Sequence, residues 1–270
     1  LAFLRLLSAP SGSTTFLAGF ATGMAIYERG TPIVFAPVGL IFAMASHRTR
    51  RLPWLRMVMI FVIGAAVVLS PWIVRNYRVY GRFVLVMTAD PELLWIGNNP
   101  NATGLLVTGS GKPMFDAAPE AFRAQIFAGD ERSQQQLFWN EFVRFVTSEP
   151  GRTLDLFVKK LYYFWWFSPQ SGREHPQLLF LLYMPVYAVI LFAALWGFGL
   201  GLCYKPREFS LLLLFLLAIS AGQSLFFVEG RHRLAVMPVL LVPGAVGLGD
   251  LASRVQRLMA VRRTSNDYRT

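Results

Sequence analysis

The sequence predicts an all-α membrane protein, a polytopic bundle of transmembrane helices. Of the 270 residues, 54% are hydrophobic and only 15% are charged, whereas soluble domains carry about 25% charged residues. The charged residues are also unevenly placed, because several long stretches contain none. A bilayer core needs roughly 20 apolar residues of helix, and three of these stretches approach or exceed that length.

Each apolar stretch predicts one helix. Residues 57–74, 209–228 and 177–203 are uncharged and long enough to span, the last with some tilt. Residues 32–46 and 234–250 form shorter spans, and 14–27 form the end of a further helix that breaks at Glu28-Arg29-Gly30-Thr31-Pro32.

Short basic loops set the expected orientation. Arginines and lysines at 47–56, at 204–208 and after 250 fall on one side if the spans alternate, and the positive-inside rule makes that side cytoplasmic. The expected domains are transmembrane helices in 1–76, a periplasmic loop at 77–176, three transmembrane helices in 177–250 and a basic cytoplasmic tail at 251–270. The loop 229–233 then lies outside, although it carries two arginines.

The second half of the periplasmic section predicts two amphipathic interfacial helices separated by Pro150-Gly151. Lysines beside tyrosines and tryptophans are typical of a membrane–water boundary. The apolar side of the first helix is expected to hold Leu137, Phe138, Phe142, Phe145 and Val146. That of the second is expected to hold Leu154, Phe157, Leu161, Phe164 and Trp165.

Several classes of function are excluded or disfavoured. The net charge of +11 follows the ends of the spans and does not form a basic stripe for nucleic acid. A single cysteine, Cys203, and three histidines rule out an intrachain disulfide and a thiolate cluster for metal. Signatures of soluble hydrolases, P-loop proteins and zinc proteases are missing. Because the chain begins with Leu1, we expect it to be a fragment that lacks its N-terminal part.

Four polar groups are candidates for chemistry at the outer face. Arg75-Asn76 follows a span, where an arginine either binds a phosphate or anchors the helix at the interface. Trp95 and Asn98 precede a Gly/Asn-rich segment that either contacts a sugar or simply turns. Glu229, Arg231 and Arg233 suit a site for phosphate and sugar, or snorkel to lipid headgroups. The fourth group is Glu28-Arg29, at the helix break.

In this order, "YERGTP", "SPWIVRNYRVYGRFV", "LLWIGNNPNATG" and "EGRHRLAVMPVLLVPGAVGL" resemble the C-terminal half of GT-C superfamily glycosyltransferases. "FWNEFVRFVTSEPGRTLDLFVKKLYYFWW" resembles their paired periplasmic helices. The nearest relatives are the protein-mannosyltransferase-like and aminoarabinose-transferase-like enzymes of the bacterial inner membrane. Two departures are Glu28-Arg29-Gly30-Thr31-Pro32, where the family often has Thr-Arg-Pro, and His232, where it often has tyrosine.

The resemblance implies an enzyme that transfers a hexosyl or pentosyl group from a polyprenyl phosphate to a periplasmic glycan, lipid or protein acceptor. It implies that Arg75, Arg231 and Arg233 bind the donor phosphate, and that Asn76, Asn98 and Glu229 bind sugar or acceptor. The catalytic base is unknown and is expected in the missing N-terminal part, so this fragment alone should be inactive. Asp90, Glu92 and Asp116 lie outside, but nothing selects one of them.

No protein-bound metal is predicted, and a divalent cation is left open as a cofactor. The alternative function is a non-enzymatic transporter or assembly partner for lipid-linked glycans.

Overall fold

The computed structural model describes residues 1–46, 53–81, 83–84, 90–169 and 177–267, and side chains through 259 except those of 90 and 177. These residues are almost entirely helical, with no β-strand and one isolated bridge between Val107 and Pro113. The helices are α1 Ala2–Ser8, α2 Gly12–Glu28, α3 Phe35–Ser46, α4 Trp54–Tyr80, α5 Asp90–Gly97, α6 Glu120–Ala128, α7 Glu131–Ser148, α8 Pro150–Trp165, α9 Gln177–Tyr204, α10 Pro206–Ser224 and α11 Met237–Asp267. Short 3-10 turns span Thr31–Val34, Phe115–Ala117 and Gly230–Ala235.

Among the described residues, four helices are long and apolar enough to cross a membrane, which confirms the all-α class and identifies a membrane protein. They are Trp54–Tyr80, Leu178–Tyr204, Pro206–Ser224 and Met237–Met259. A shorter apolar segment, Thr31–Ser46, covers the predicted 32–46 stretch.

Element boundaries differ from the predicted ones in several places, of which three matter most here. Helix α4 continues to Tyr80 and ends where Gly81 adopts the left-handed conformation (φ 63°) that glycine accommodates without strain. The loop section contains four helices, α5 to α8, in place of two, because the Gly/Asn-rich part is preceded by α5 and followed by α6. The expected tail after residue 250 is helical as far as Asp267.

The chain divides into two compact units. The first contains Leu1–Gln170 and Leu217–Arg233, and the second contains Ser171–Leu216 and Leu234–Thr270. Helix α10 therefore contributes its first part to the second unit and its last part to the first.

In the first unit, α2 and α4 run parallel and pack through glycine. Gly12 lies against Ile60, Gly23 against Ala65, and Tyr27 against Trp72, so positions advance together along both helices. A methyl group on Gly19 or Gly64 would overlap the backbone of the opposite helix. Because the helices are parallel, the break after α2 and the end of α4 lie at the same end of this pair.

Helices α5 to α7 and the N-terminal half of α8 enclose a separate aromatic core. Trp95 is buried against Phe122 and Phe138, with ring centroids 5.2 and 5.3 Å away. The predicted face of α7 is confirmed, because Phe138 and Phe145 are buried in this core and Leu137, Phe142 and Val146 pack against it.

The buried face of helix α8 shares Phe164 with the predicted apolar side but is otherwise different from it. Its fully covered residues are Leu156, Lys160 and Phe164, spaced one helical turn apart, whereas Leu154 is 64% exposed. The sequence pattern missed this face because its central residue is a lysine.

The second unit repeats the parallel arrangement with α9 and α11. Gly197 faces Pro243 and Gly247, and Gly247 faces Ala193, at distances that leave no room for a side chain. Near the C-terminal end of the contact, Trp196 Nε1 donates to Asp250 (2.9 Å), and Arg254 Nε donates to the same carboxylate oxygen (2.7 Å). Arg254 also lies over the Trp196 ring, 5.4 Å from its centroid.

Candidate anion-binding site

The break between α2 and α3 is held by the end of α10. Gln223, which is buried, accepts a hydrogen bond from Thr31 Oγ1 (3.3 Å) and a long one from Arg29 Nη2 (3.5 Å). Its amide nitrogen donates to the carbonyl oxygen of Phe227 (3.1 Å). One amide side chain thus fixes both the break and the segment that leads to Glu229, and Arg29 is placed beside that segment.

His232 is a buried, neutral hydrogen-bond donor in the 3-10 turn Gly230–Ala235. Its Nδ1 accepts the backbone N–H of Glu229 (3.1 Å), so the proton of the neutral ring is on Nε2. Burial, and then the positive charges of Arg29 and Arg231, lower the pKa of His232 to about 4. At neutral pH the ring is therefore uncharged, although two guanidinium groups are near it.

Arg29 and Arg231 are two positive charges close enough to interact, and Arg29 has no paired carboxylate among the described side chains. Burial and the charge of Arg231 both lower the pKa of Arg29. Arg231 is exposed and ion-paired to Glu229 (2.6 Å), while no carboxylate among the described side chains is paired with Arg29. We refer to Arg29, Arg231 and His232 as the rim cluster. Its two cations and one N–H donor can bind an anion such as a phosphate.

The neighbouring Arg233 has a different environment. It is buried, its Nη2 donates to the carbonyl oxygens of Trp166 (2.8 Å) and Tyr163 (3.4 Å), and it lies over the Phe167 ring. These contacts fasten the C-terminal end of α8 to the 3-10 turn. The prediction that Arg233 binds a donor phosphate has no direct support from this placement, because its guanidinium faces protein carbonyls.

Asn98 is also a structural crosslink. Its Nδ2 donates to the carbonyl oxygens of Leu94 and Leu225, both at 2.8 Å, and its Oδ1 accepts from Lys160 Nζ (2.8 Å). Lys160 also reaches the carbonyl oxygen of Gly97 (3.3 Å), and burial lowers its pKa to about 7. We refer to Lys160 with Asn98, and Arg233 with Trp166, as the buried braces.

Arg75 and Asn76 lie at the same end of the α2–α4 pair as Arg29. Asn76 is buried, donates to the carbonyl oxygen of Val84 (3.2 Å) and accepts from Arg75 Nη1 (3.1 Å). Arg75 is exposed and lies over the Trp72 ring, 4.9 Å from its centroid. Trp72 in turn contacts Tyr27, the residue before Glu28. Arg75 is therefore accessible near the break, and the buried side chain of Asn76 holds its guanidinium through a hydrogen bond.

The structure brings together three of the four predicted groups: Glu28-Arg29, the segment around Asn98, and Glu229 to Arg233. Trp95, which precedes the segment predicted either to contact a sugar or to turn, is enclosed in the aromatic core. Gln223 and Lys160 were missed, because a buried glutamine and a buried lysine have no signature apart from their partners. The sequence places Arg29 at the helix break but does not predict that it binds the donor phosphate.

The available carboxylates do not identify a base or a metal site. Among the described residues, no group of three or more His, Cys, Asp or Glu side chains could hold a metal ion. Burial raises the pKa of Glu92, and Asp116 is exposed, while the side chain of Asp90 lies outside the described residues. Glu229 is the one carboxylate described in direct contact with the rim cluster, and it is ion-paired to Arg231.

Fold and site together define an α-helical membrane protein in which two arginines from distant segments flank a neutral histidine. Comparisons with protein-family models, curated proteins and solved structures found no match for this chain.

Proposed function

We propose that this protein is a membrane glycosyltransferase of the GT-C type that uses a sugar carried on a polyprenyl phosphate. The observation that carries the proposal is the position of Arg29 near Arg231, whose positive charge adds to burial in lowering the pKa of Arg29, while no carboxylate among the described side chains is paired with Arg29. Two adjacent cations repel each other, and a bound phosphate anion relieves that repulsion.

The chemistry of sugar transfer suits this arrangement. The bond between the anomeric carbon and the phosphate oxygen breaks, and the electron pair stays on the phosphate. A bond forms from the anomeric carbon to the acceptor hydroxyl oxygen, whose proton goes to a base. Arg29 and Arg231 would stabilise the charge that develops on the phosphate, and the Nε2–H of His232 would donate to one of its oxygens.

The order of the sequence motifs adds support. The segments that resemble GT-C glycosyltransferases include Arg29, Asn98 and Arg231, and they come together within one unit. Arg75, expected to bind phosphate, lies exposed at the same end of the α2–α4 pair. In the proposed enzyme this end faces the periplasm of a bacterial inner membrane, and the acceptor is a periplasmic glycan, lipid or protein.

The first prediction is that the protein binds polyprenyl phosphate through the rim cluster. Arg29→Gln and Arg231→Gln should each weaken binding by about 10- to 100-fold, because a charge-assisted hydrogen bond contributes about 1.5–3 kcal/mol. Binding is measured on the purified chain in detergent by native mass spectrometry with a synthetic polyprenyl phosphate. The matched control is Arg132→Gln, which removes an exposed arginine on α7.

Equal affinity in the wild type, both rim variants and the control would contradict the proposed site. A thermal unfolding curve for each variant separates loss of binding from loss of folding. Transfer itself is measured in membranes that contain the natural protein, as incorporation of labelled sugar from its polyprenyl phosphate.

One observation favours a second candidate, a transporter or assembly partner that binds lipid-linked glycans without turnover. The carboxylate at the rim cluster is ion-paired to Arg231, so it is poorly placed to accept a proton from a hydroxyl. Arginine-dependent binding together with no sugar transfer in membranes would favour this candidate over the transferase.

A further inference from the structure

A second basic region lies in the other compact unit, where α9 ends beside α11 close to Met259, the last residue of the apolar span of α11. Because these helices are parallel and Trp196 contacts Asp250, residues eight positions further along each helix lie at the same level, about 12 Å beyond that contact. Those residues are Tyr204 and Leu258. Lys205 follows Tyr204, Arg207 lies in the first turn of α10, and Arg254 and Arg257 lie in α11 near the end of its span Met237–Met259.

The charges at this end do not cancel. Among residues 204–208 and 250–259, whose side chains are all described, four are basic and two are acidic. Asp250 is bonded to Arg254, which leaves Lys205, Arg207 and Arg257 exposed with Glu208 as the remaining carboxylate. This end therefore presents an excess of accessible positive charge.

Apolar side chains accompany these cations. Val255, Leu258 and Met259 are exposed on α11, with Leu258 at 66%, and Tyr204 is 81% exposed at the end of α9. Exposed apolar residues directly beside basic residues, at the end of helices that can cross a membrane, suit the boundary between acyl chains and headgroups. A soluble acidic partner would match the charges but not the apolar residues.

We propose that the end of α9, the start of α10 and residues 254–259 of α11 form a binding site for an acidic phospholipid. Lys205, Arg207 and Arg257 contact the phosphate of the headgroup, and Tyr204, Leu258 and Met259 contact the glycerol and the upper acyl chain. The Trp196–Asp250–Arg254 cluster holds the two helices in register below the site. Lipid binding here does not depend on the glycosyltransferase function proposed above.

The second prediction concerns lipid retention by the purified chain. In native mass spectrometry, the wild type should retain phosphatidylglycerol or cardiolipin in preference to phosphatidylcholine supplied at equal concentration. Arg207→Gln combined with Arg257→Gln should reduce retention of the acidic lipid by about tenfold, since each basic residue near a charged surface contributes to binding. The control is Lys112→Gln with Arg132→Gln, which removes two exposed charges from the first unit.

Equal retention in the two double variants would overturn the proposal, as would equal retention of acidic and zwitterionic lipid by the wild type. Displacement of the lipid by millimolar inorganic phosphate would also overturn it, because the site would then bind free anions. A second measurement uses the wild type alone. Acidic lipid should raise its unfolding temperature, and the increase should shrink as salt screens the charges.

Discussion

Arg231 and Arg233 lie two residues apart in one 3-10 turn, yet they belong to regions of opposite character. In the rim cluster, Arg231 is exposed and close enough to Arg29 for mutual repulsion. In the buried braces, Arg233 and Lys160 are covered. Arg233 donates to the carbonyl oxygen of Trp166, and Lys160 donates to the amide oxygen of Asn98. The difference shows that residue type does not decide function here. Arg231 is exposed beside the positive charge of Arg29, whereas Arg233 faces backbone carbonyls and holds the fold.

The largest expected effect is the change with pH in the free energy of unfolding that Lys160, one of the buried braces, causes. Lys160 has its pKa lowered to about 7 in the folded protein, from 10.5 in the unfolded chain. Between these values the unfolded chain binds more protons, so the free energy of unfolding should rise with pH and fall as pH drops toward 7. The total change in the free energy of unfolding between these two pH values should be about 3–5 kcal/mol.

Lys160→Met should abolish this slope, measured by detergent unfolding at several pH values between 7 and 10. The variant also leaves Asn98 Oδ1 without its lysine donor, so its stability at high pH should be below that of the wild type. Parallel pH profiles for the two proteins would show that Lys160 keeps its charge when buried.

The next largest expected effect is the difference in stability between variants of Arg233 and Arg231. Arg233→Ala should lower the free energy of unfolding by about 2–4 kcal/mol, because it exposes a cavity and leaves the carbonyl of Trp166 without its donor. Arg231→Ala should cost less than about 1 kcal/mol, since it removes one exposed ion pair. Thermal unfolding of both variants measures the difference. If Arg231→Ala proves the more destabilising of the two, the division between rim and braces is wrong.

The smallest expected effect concerns His232 in the rim cluster. Its pKa is lowered to about 4 in the folded protein, from 6.5 in the unfolded chain. The neutral ring therefore makes its full contribution to the free energy of unfolding above pH 6.5, and that contribution should be lost progressively as pH falls toward 4. The full loss should be about 3 kcal/mol. It should be smaller with bound polyprenyl phosphate, because an anion favours protonation of the ring.

His232→Gln should show no such loss when unfolding is followed between pH 4 and 7 with and without the lipid. If the lipid leaves the wild-type profile unchanged, the histidine does not contact the bound anion.

Apolar spans and helix breaks could be predicted from sequence because each depends on local composition. The span 57–74 is uncharged along its length, and Pro150-Gly151 separates α7 from α8, with Pro150 in the first turn of α8, where its missing N–H has no cost. The face of α8 could not be predicted, because Lys160 is buried only through Asn98, 62 positions earlier in the chain. The pairing of Arg29 with Arg231 likewise depends on Gln223, which fixes the break after α2 through contacts that no local pattern records.

The glycine contact between α2 and α4 has a consequence for how the chain can vary in length. With backbone against backbone at Gly19 and Gly23, neither helix can slide past the other, so the distance from Gly23 to Arg29 acts as a fixed spacer. One inserted residue there would shift Arg29 by 1.5 Å and rotate it by about 100°. The connection between α3 and α4 lies outside this contact, and insertions there leave the spacer intact. Insertions and deletions should therefore be rare between Gly23 and Arg29 in related sequences, and more frequent in the connection between α3 and α4.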